Sequence, residues 1–129
     1  MAGKRILVMG IDPDKLDFSS PFFKDKPGLT AEVIQAGLDR DRARMRAEGL
    51  SPTIMTLDPE PWAAEQEVRY ALGASRYDVI VIGAGVRADP DRLILFEQLI
   101  NLVHELAPTS KIAFNTSPDT TADAAARWI

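Results

Sequence analysis

The stretch Asp78-Val79-Ile80-Val81-Ile82-Gly83-Ala84-Gly85-Val86-Arg87 restricts the fold more than any other part of the chain. Val79 to Ile82 carry no polar residue, and a strand that is apolar at every position is covered on both faces. Such strands belong to parallel sheets with helices on either side. Gly83 and Gly85 then mark where the backbone leaves the sheet and where another group can come close to it.

Lys4-Arg5-Ile6-Leu7-Val8-Met9-Gly10 repeats the arrangement near the amino terminus: a buried strand closed by a glycine. Between and beyond these two strands the pattern alternates. Thr30 can cap a helix over residues 31–48, with Glu32 in its first turn and Gly49 as its stop. Val33, Ile34, Leu38 and Met45 recur there at helical spacing. Residues 53–57 read as a short second strand. Asp58-Pro59-Glu60-Pro61 opens a helix reaching Ser75, with a thin buried stripe of Ala64, Val68, Ala71 and Leu72. Asp89-Pro90 starts a third helix over residues 91–106, and Pro108 stops it. Residues 111–115 form the fourth strand, and Ser117-Pro118-Asp119 leads into a last helix over residues 120–127.

Alternation of this kind predicts a parallel sheet with right-handed crossovers. The expected fold is a single domain over residues 1–129. It is a three-layer α/β/α sandwich with a four-stranded parallel sheet in the order 2-1-3-4, flavodoxin-like or Rossmann-like. The switch point falls between the first and third strands, and ligands in such sheets bind outside the carboxyl ends of the strands that flank it. Those ends are Gly10-Ile11-Asp12 and Gly83-Ala84-Gly85. Gly10, Asp12, Gly83, Gly85 and Arg87 are therefore the expected floor of a ligand site, with Asn115 and Thr116 as one wall. Tight turns alone also select glycine, so the alternative of a bare turn stands beside the site.

Residues 11–28 make a long connection with Pro13, Pro21 and Pro27. Connections of this length are functional or disordered, and Phe18, Phe22 and Phe23 argue for order, because exposing them to water is unfavourable. The segment is expected to act as a lid over the site or as a subunit contact.

Composition sets outer limits. A chain of 129 residues with 46% hydrophobic and 26% charged residues is ordinary for one globular domain. The net charge of −4 provides no counterion-release drive toward nucleic acid. The basic run over residues 39–46 interleaves acids and reads as a solvated helix face. Without cysteine there is no disulfide, thiolate nucleophile or sulfur-ligated metal. The apolar run Ile6 to Met9 is too short for a signal peptide's core, and no stretch is long enough to span a membrane. A cytoplasmic protein with neither nucleic-acid nor membrane partners is the expectation.

Gly83-Ala84-Gly85-Val86-Arg87-Ala88 fits the dinucleotide pattern G-x-G-x-x-G/A letter for letter. That fingerprint works when a helix begins at the glycines and aims its free N–H groups at a pyrophosphate. Here Asp89-Pro90 predicts a helix start several residues later, capped by an acid, and the acid expected to end the next strand is Asn115. No cofactor is therefore expected. Arg87 can clamp a carboxylate or phosphate through paired bonds, or it can pair with Asp89 or Asp91.

On the third helix Glu97, Asn101 and His104 share a stripe beside a wide apolar face of Leu95, Phe96, Leu99, Ile100, Leu102, Val103 and Leu106. That width exceeds what one sheet contact needs, which points to a homodimer through this face. His104 is a proton carrier on one reading and a helix-surface residue on the other. Asp12, Asp14 and Asp17 miss the spacing of a calcium loop and read as loop solvation, so no metal is expected. Asp12 and His104 are the two candidates for moving a proton in any reaction.

The segment from Tyr77-Asp78 through Gly83, Leu95-Phe96-Glu97 and Ala107-Pro108 to Lys111-Ile112 resembles the middle of an SGNH-type esterase. In that family a Gly-Asp-Ser motif follows the first strand and an Asp-x-x-His lies near the carboxyl end. This chain has Gly10-Ile11-Asp12 in the first place, and its single histidine, His104, lies elsewhere. The resemblance implies a hydrolase-like scaffold without that family's nucleophile and base. Over nearly its whole length the chain is similar to a group of short bacterial proteins without assigned activity. The similarity is carried by residues 10–13, 28–31 and 82–87, by Leu95-Phe96-Glu97 with Ile100-Asn101, and by residues 113–116 and Arg127-Trp128. It implies a flavodoxin-like fold. The expected function is binding of a small polar or anionic molecule at the switch point, with a hydrolase-like enzyme and a homo-oligomeric interaction module as the alternatives.

Overall fold

The computed structural model describes residues 3–129. Four strands, β1 (Arg5–Ile11), β2 (Ser51–Leu57), β3 (Val79–Ile82) and β4 (Lys111–Phe114), form one parallel sheet in the order β2-β1-β3-β4. Met9 lies directly beside Ile82, so the two glycine-ended strands are neighbours at the switch point. Helices α1 (Ala31–Ala47), α2 (Pro61–Ala74), α3 (Ala84–Arg87), α4 (Leu93–Leu106) and α5 (Thr121–Ala126) fill the connections.

Strand alternation divides the core in two. Leu7, Met9, Ile11, Ile80 and Ile82 face one side, against buried residues of α2 and α4. Ile6, Val8, Val79, Val81 and Ala113 face the other, against Met45 of α1 and Ala122, Ala124 and Ala125 of α5. The apolar run that organised the sequence is thus fully buried on both faces, as a central parallel strand must be. β2 is an edge strand and begins earlier than the sequence pattern suggests. Pro52 is tolerated there because the outer row of its backbone has no neighbour to bond.

The helix ends follow their local chemistry. Thr30 Oγ1 accepts from the Val33 amide at 3.2 Å and starts α1. Gly49, at φ 84°, ends it: the Leu50 amide bonds Met45 O and the Gly49 amide bonds Arg46 O. Leu50 then packs on the same cluster as Met45.

Tertiary contacts overrule the helical spacing at three places. Val33 is exposed, while Gly37 and Asp41 of α1 are buried. A Cβ on Gly37 would lie 2.8 Å from Pro118 Cβ, so glycine lets α1 approach the chain just before α5. Asp41, 4% exposed, accepts from the Ala122 amide at 2.7 Å, a favourable place for a carboxylate in the first turn of α5. Asp41→Ala leaves that buried amide without a partner and is expected to lower stability by about 1–3 kcal/mol in urea unfolding. Asp41→Asn keeps an oxygen acceptor and should lose less.

The wide apolar face of α4 finds its partners within the chain. Leu95, Leu99, Leu102 and Val103 are buried and Phe96, Ile100 and Leu106 are half-buried, packed against the sheet and α2 together. Two neighbours within the chain thus share this face, while Leu93 and Ile94 of the same helix stay exposed. Among the described residues no helix is long and apolar enough to cross a membrane.

Candidate functional site

A cavity of about 410 Å³ opens at the carboxyl edge of the sheet, on the side covered by α1. It extends the row of side chains that Ile6 and Val8, Val79 and Val81, and Ala113 present to that face. The next residues in the three rows are Gly10, Gly83 and Asn115, and all three line the cavity. Where the sheet's core would continue, two of its three strands place glycine. That is the local cause of the empty space.

The rest of the wall comes from three directions. Ile34 and Leu38 from the first half of α1 form one side. Residues 115–118, leaving β4, form another, and Ala84 and Gly85 of α3 a third. Residues 12–30 fold across the cavity and contribute Leu16, Phe22, Phe23, Lys26, Gly28 and Leu29. This segment has structure of its own, with 3-10 turns at Pro13–Lys15 and Pro21–Phe23. Phe23 is buried, with its ring centroid 4.9 Å from that of Phe18 and 5.0 Å from that of Phe22. Lys15 Nζ reaches Asp58 at 3.0 Å and ties the segment's start to the end of β2.

Among the described residues positive φ occurs only at Gly49, so Gly10, Gly28, Gly83 and Gly85 are not required by a left-handed backbone. A Cβ added to Gly10, Gly28 or Gly85 would meet nothing within 4 Å. Neither backbone strain nor a close protein neighbour explains these three glycines. Gly28 is exposed, but Gly10 is half-buried and continues the β1 row that faces the cavity, so a side chain there would enter it.

Five of the residues expected from the sequence line this cavity together: Gly10, Gly83, Gly85, Asn115 and Thr116. Asp12 and Arg87 lie beyond its lining. Asp12 accepts from the Asp14 amide at 3.0 Å and so caps the 3-10 turn after β1, while its own amide bonds Leu57 O and extends the pairing of β1 with β2. Arg87 is exposed; its guanidinium donates to Asn115 O at 3.3 Å and lies 5.9 Å from the centre of the Phe114 ring. His104 is exposed near the carboxyl end of α4, where the chain returns to the amino edge of the sheet, opposite the cavity. The rows of a parallel sheet predicted which backbone reaches the edge. They could not predict which way an arginine beyond it turns.

Asn115 itself is 5% exposed and works inside the protein. Its Oδ1 accepts from the Ala84 amide at 2.8 Å and its Nδ2 donates to Thr121 Oγ1 at 2.9 Å. It therefore locks the ends of β3, β4 and α5 together, and β4 stops at Phe114 because Asn115 turns to make these bonds. Ser117 Oγ donates to Asp119 Oδ1 at 2.6 Å, which holds the Asp119 carboxyl below its ordinary value. Thr116 and Ser117 offer their amides to Thr120 Oγ1.

The start of α3 corrects a second expectation. A helical turn does begin at Gly83, before Asp89-Pro90, and a 3-10 turn at Pro90–Arg92 separates it from α4. Its amides are largely spent, however: Ala84 N on Asn115, and Val86 N and Arg87 N on Gly83 O. The pyrophosphate-binding arrangement needs those groups free, so the letter match still falls short of the chemistry.

The wall is chiefly apolar, with Asn115, Thr116 and Ser117 as its neutral polar side chains and Lys26 as its one charge. Among the described residues no three histidine, aspartate or glutamate side chains cluster as a metal site requires. Lys26, Ile34 and Leu38 were not legible as site residues. Ile34 and Leu38 carry the spacing of any core stripe, and nothing in that spacing distinguishes a packed core from a cavity wall. No protein-family model matches the chain, and no curated protein matches it.

Proposed function

We propose that the chain binds a small molecule with an apolar body and a polar or anionic end in this cavity, under a lid formed by residues 12–30. The observation that carries the reading is the pair of half-buried glycines in the lining, Gly10 and Gly85, each with open space where a side chain would stand. A core that merely needed filling would have a larger residue at Gly10, since packing apolar atoms there is favourable. The volume of about 410 Å³ falls within the range of small-molecule pockets, as does an apolar lining with a few convergent polar groups. Gly10, Gly83 and Gly85 form the floor, Asn115 and Thr116 a wall, and Phe22 and Phe23 the apolar underside of the lid.

Binding is favoured over catalysis by the lining itself. Asp12 and His104, the two candidates for proton transfer, lie outside it, and the hydroxyl of Ser117 is committed to Asp119. General acid–base chemistry needs its group within hydrogen-bond reach of the reacting atom.

The neutral fluorescent probe N-phenyl-1-naphthylamine tests the reading. The expected result is saturable binding at one probe per chain, with a fluorescence rise and a higher Tm. Absent binding, or binding that does not saturate, would remove the cavity from consideration as a ligand site.

A further inference from the structure

Resting on the reading of this cavity as a ligand site, we infer that its occupant is a monocarboxylic acid with an apolar body, and that Lys26 on the lid is the counter-ion that selects it. Among the described residues, Lys26 is the only formally charged one in the lining. Its ammonium is held in place from its own segment: Nζ donates to Phe22 O at 2.8 Å and lies 4.2 Å from the centre of the Phe22 ring. These two contacts position the charge on a side chain that is 38% exposed.

The chain itself supplies only a weak partner. Nζ reaches Asp25 Oδ1 at 3.0 Å, but the Asp25 side chain is 83% exposed and lies outside the lining. A pair between neighbouring residues in open water contributes little. Two of the three ammonium donors are thus engaged, one of them by a bond that water already weakens. A carboxylate whose apolar body fills the cavity meets the same ammonium with apolar walls on one side, where the attraction is screened less. A cationic head would be repelled. A phosphate dianion calls for more positive charge than one lysine, and Arg87 is turned away to Asn115 O. One positive charge suits one carboxylate.

The test compares decanoate with decan-1-ol, which share an apolar chain and differ in head-group charge, by calorimetric titration of the full chain. The parent is expected to bind decanoate about tenfold more tightly than decan-1-ol, as a hydrogen bond to a charged group implies. Lys26→Met should bring the two affinities together by weakening decanoate alone, and Lys26→Arg should keep the preference. Equal affinities in the parent, or a preference that survives Lys26→Met, would overturn the inference. If N-phenyl-1-naphthylamine binds and neither decanoate nor decan-1-ol does, the ligand class is wrong and the site stands. If the probe does not bind either, the cavity reading itself falls.

Discussion

Gly10→Leu is expected to weaken binding of N-phenyl-1-naphthylamine by roughly 10- to 100-fold while leaving the chain folded and at least as stable as the parent. Gly10 lies in an interior strand, paired to Thr56 of β2 and adjacent to the β3 end, and its backbone is not left-handed. Leucine can adopt that conformation, and replacing glycine in a strand removes an entropic cost of roughly 0.5–1 kcal/mol. The new Cβ meets no atom within 4 Å, so the side chain enters the cavity and packs toward the apolar wall of Ile34 and Leu38. A probe that shared this volume would have to displace it, which at the usual cost of overpacking weakens binding by roughly 10- to 100-fold. Fluorescence titration and thermal melting on the same sample separate the two effects. Retained affinity would mean that the space beside Gly10 is not where the probe sits. A large drop in Tm would mean that the cavity is not open there.

The second large effect is on stability. Leu99→Ala, in the middle of α4, removes a side chain with no exposed surface, packed between the sheet and α2. Large-to-small changes at such positions cost about 2–5 kcal/mol, because the surroundings collapse only partly into the space. For a domain of this size the Tm should fall by roughly 10 °C. Light scattering of the folded variant should give the same mass as the parent. That combination distinguishes a core contact from a subunit contact: a residue at a dimer interface would change the mass, with a smaller effect on the unfolding of a single chain. A variant with near-parent Tm and an altered mass would show that the face of α4 serves association after all.

Legibility in this sequence was uneven, and the reasons are physical. The uninterrupted run Val79 to Ile82 specifies a strand buried on both faces, and only parallel sheets flanked by helices provide that environment. Helix boundaries were readable where a local signal acts alone. Thr30 caps α1 through its own hydroxyl, and Gly49 ends it through its own backbone freedom. Reading failed where a residue's role depends on a distant partner. Val33 carries the helical spacing of a core residue and is exposed, while Asp41 resembles a solvated acid and is buried, because α5 presents the Ala122 amide to it across the fold.

The site divides along the same line. Gly10, Gly83 and Asn115 were reachable from sequence because they occupy successive ends of parallel strands, and strand order fixes which ends are neighbours. Lys26, Ile34 and Leu38 join them only because the lid folds back over the sheet and α1 crosses it, and no local pattern encodes that. Arg87 and Asp12 were at the right edge and turn away, each captured by a nearby backbone group.

The amino-acid order by itself determined a parallel α/β sheet with β1 beside β3 and glycines at their tips, since hydrophobic periodicity and backbone freedom act over a few residues. Whether those glycines frame a packed turn or an open cavity was decided only by tertiary structure. The answer depends on how closely α1, the lid and the tail of β4 approach them, and that distance is set by contacts such as Gly37 with Pro118 and Asn115 with Thr121 between residues far apart or newly turned in the chain.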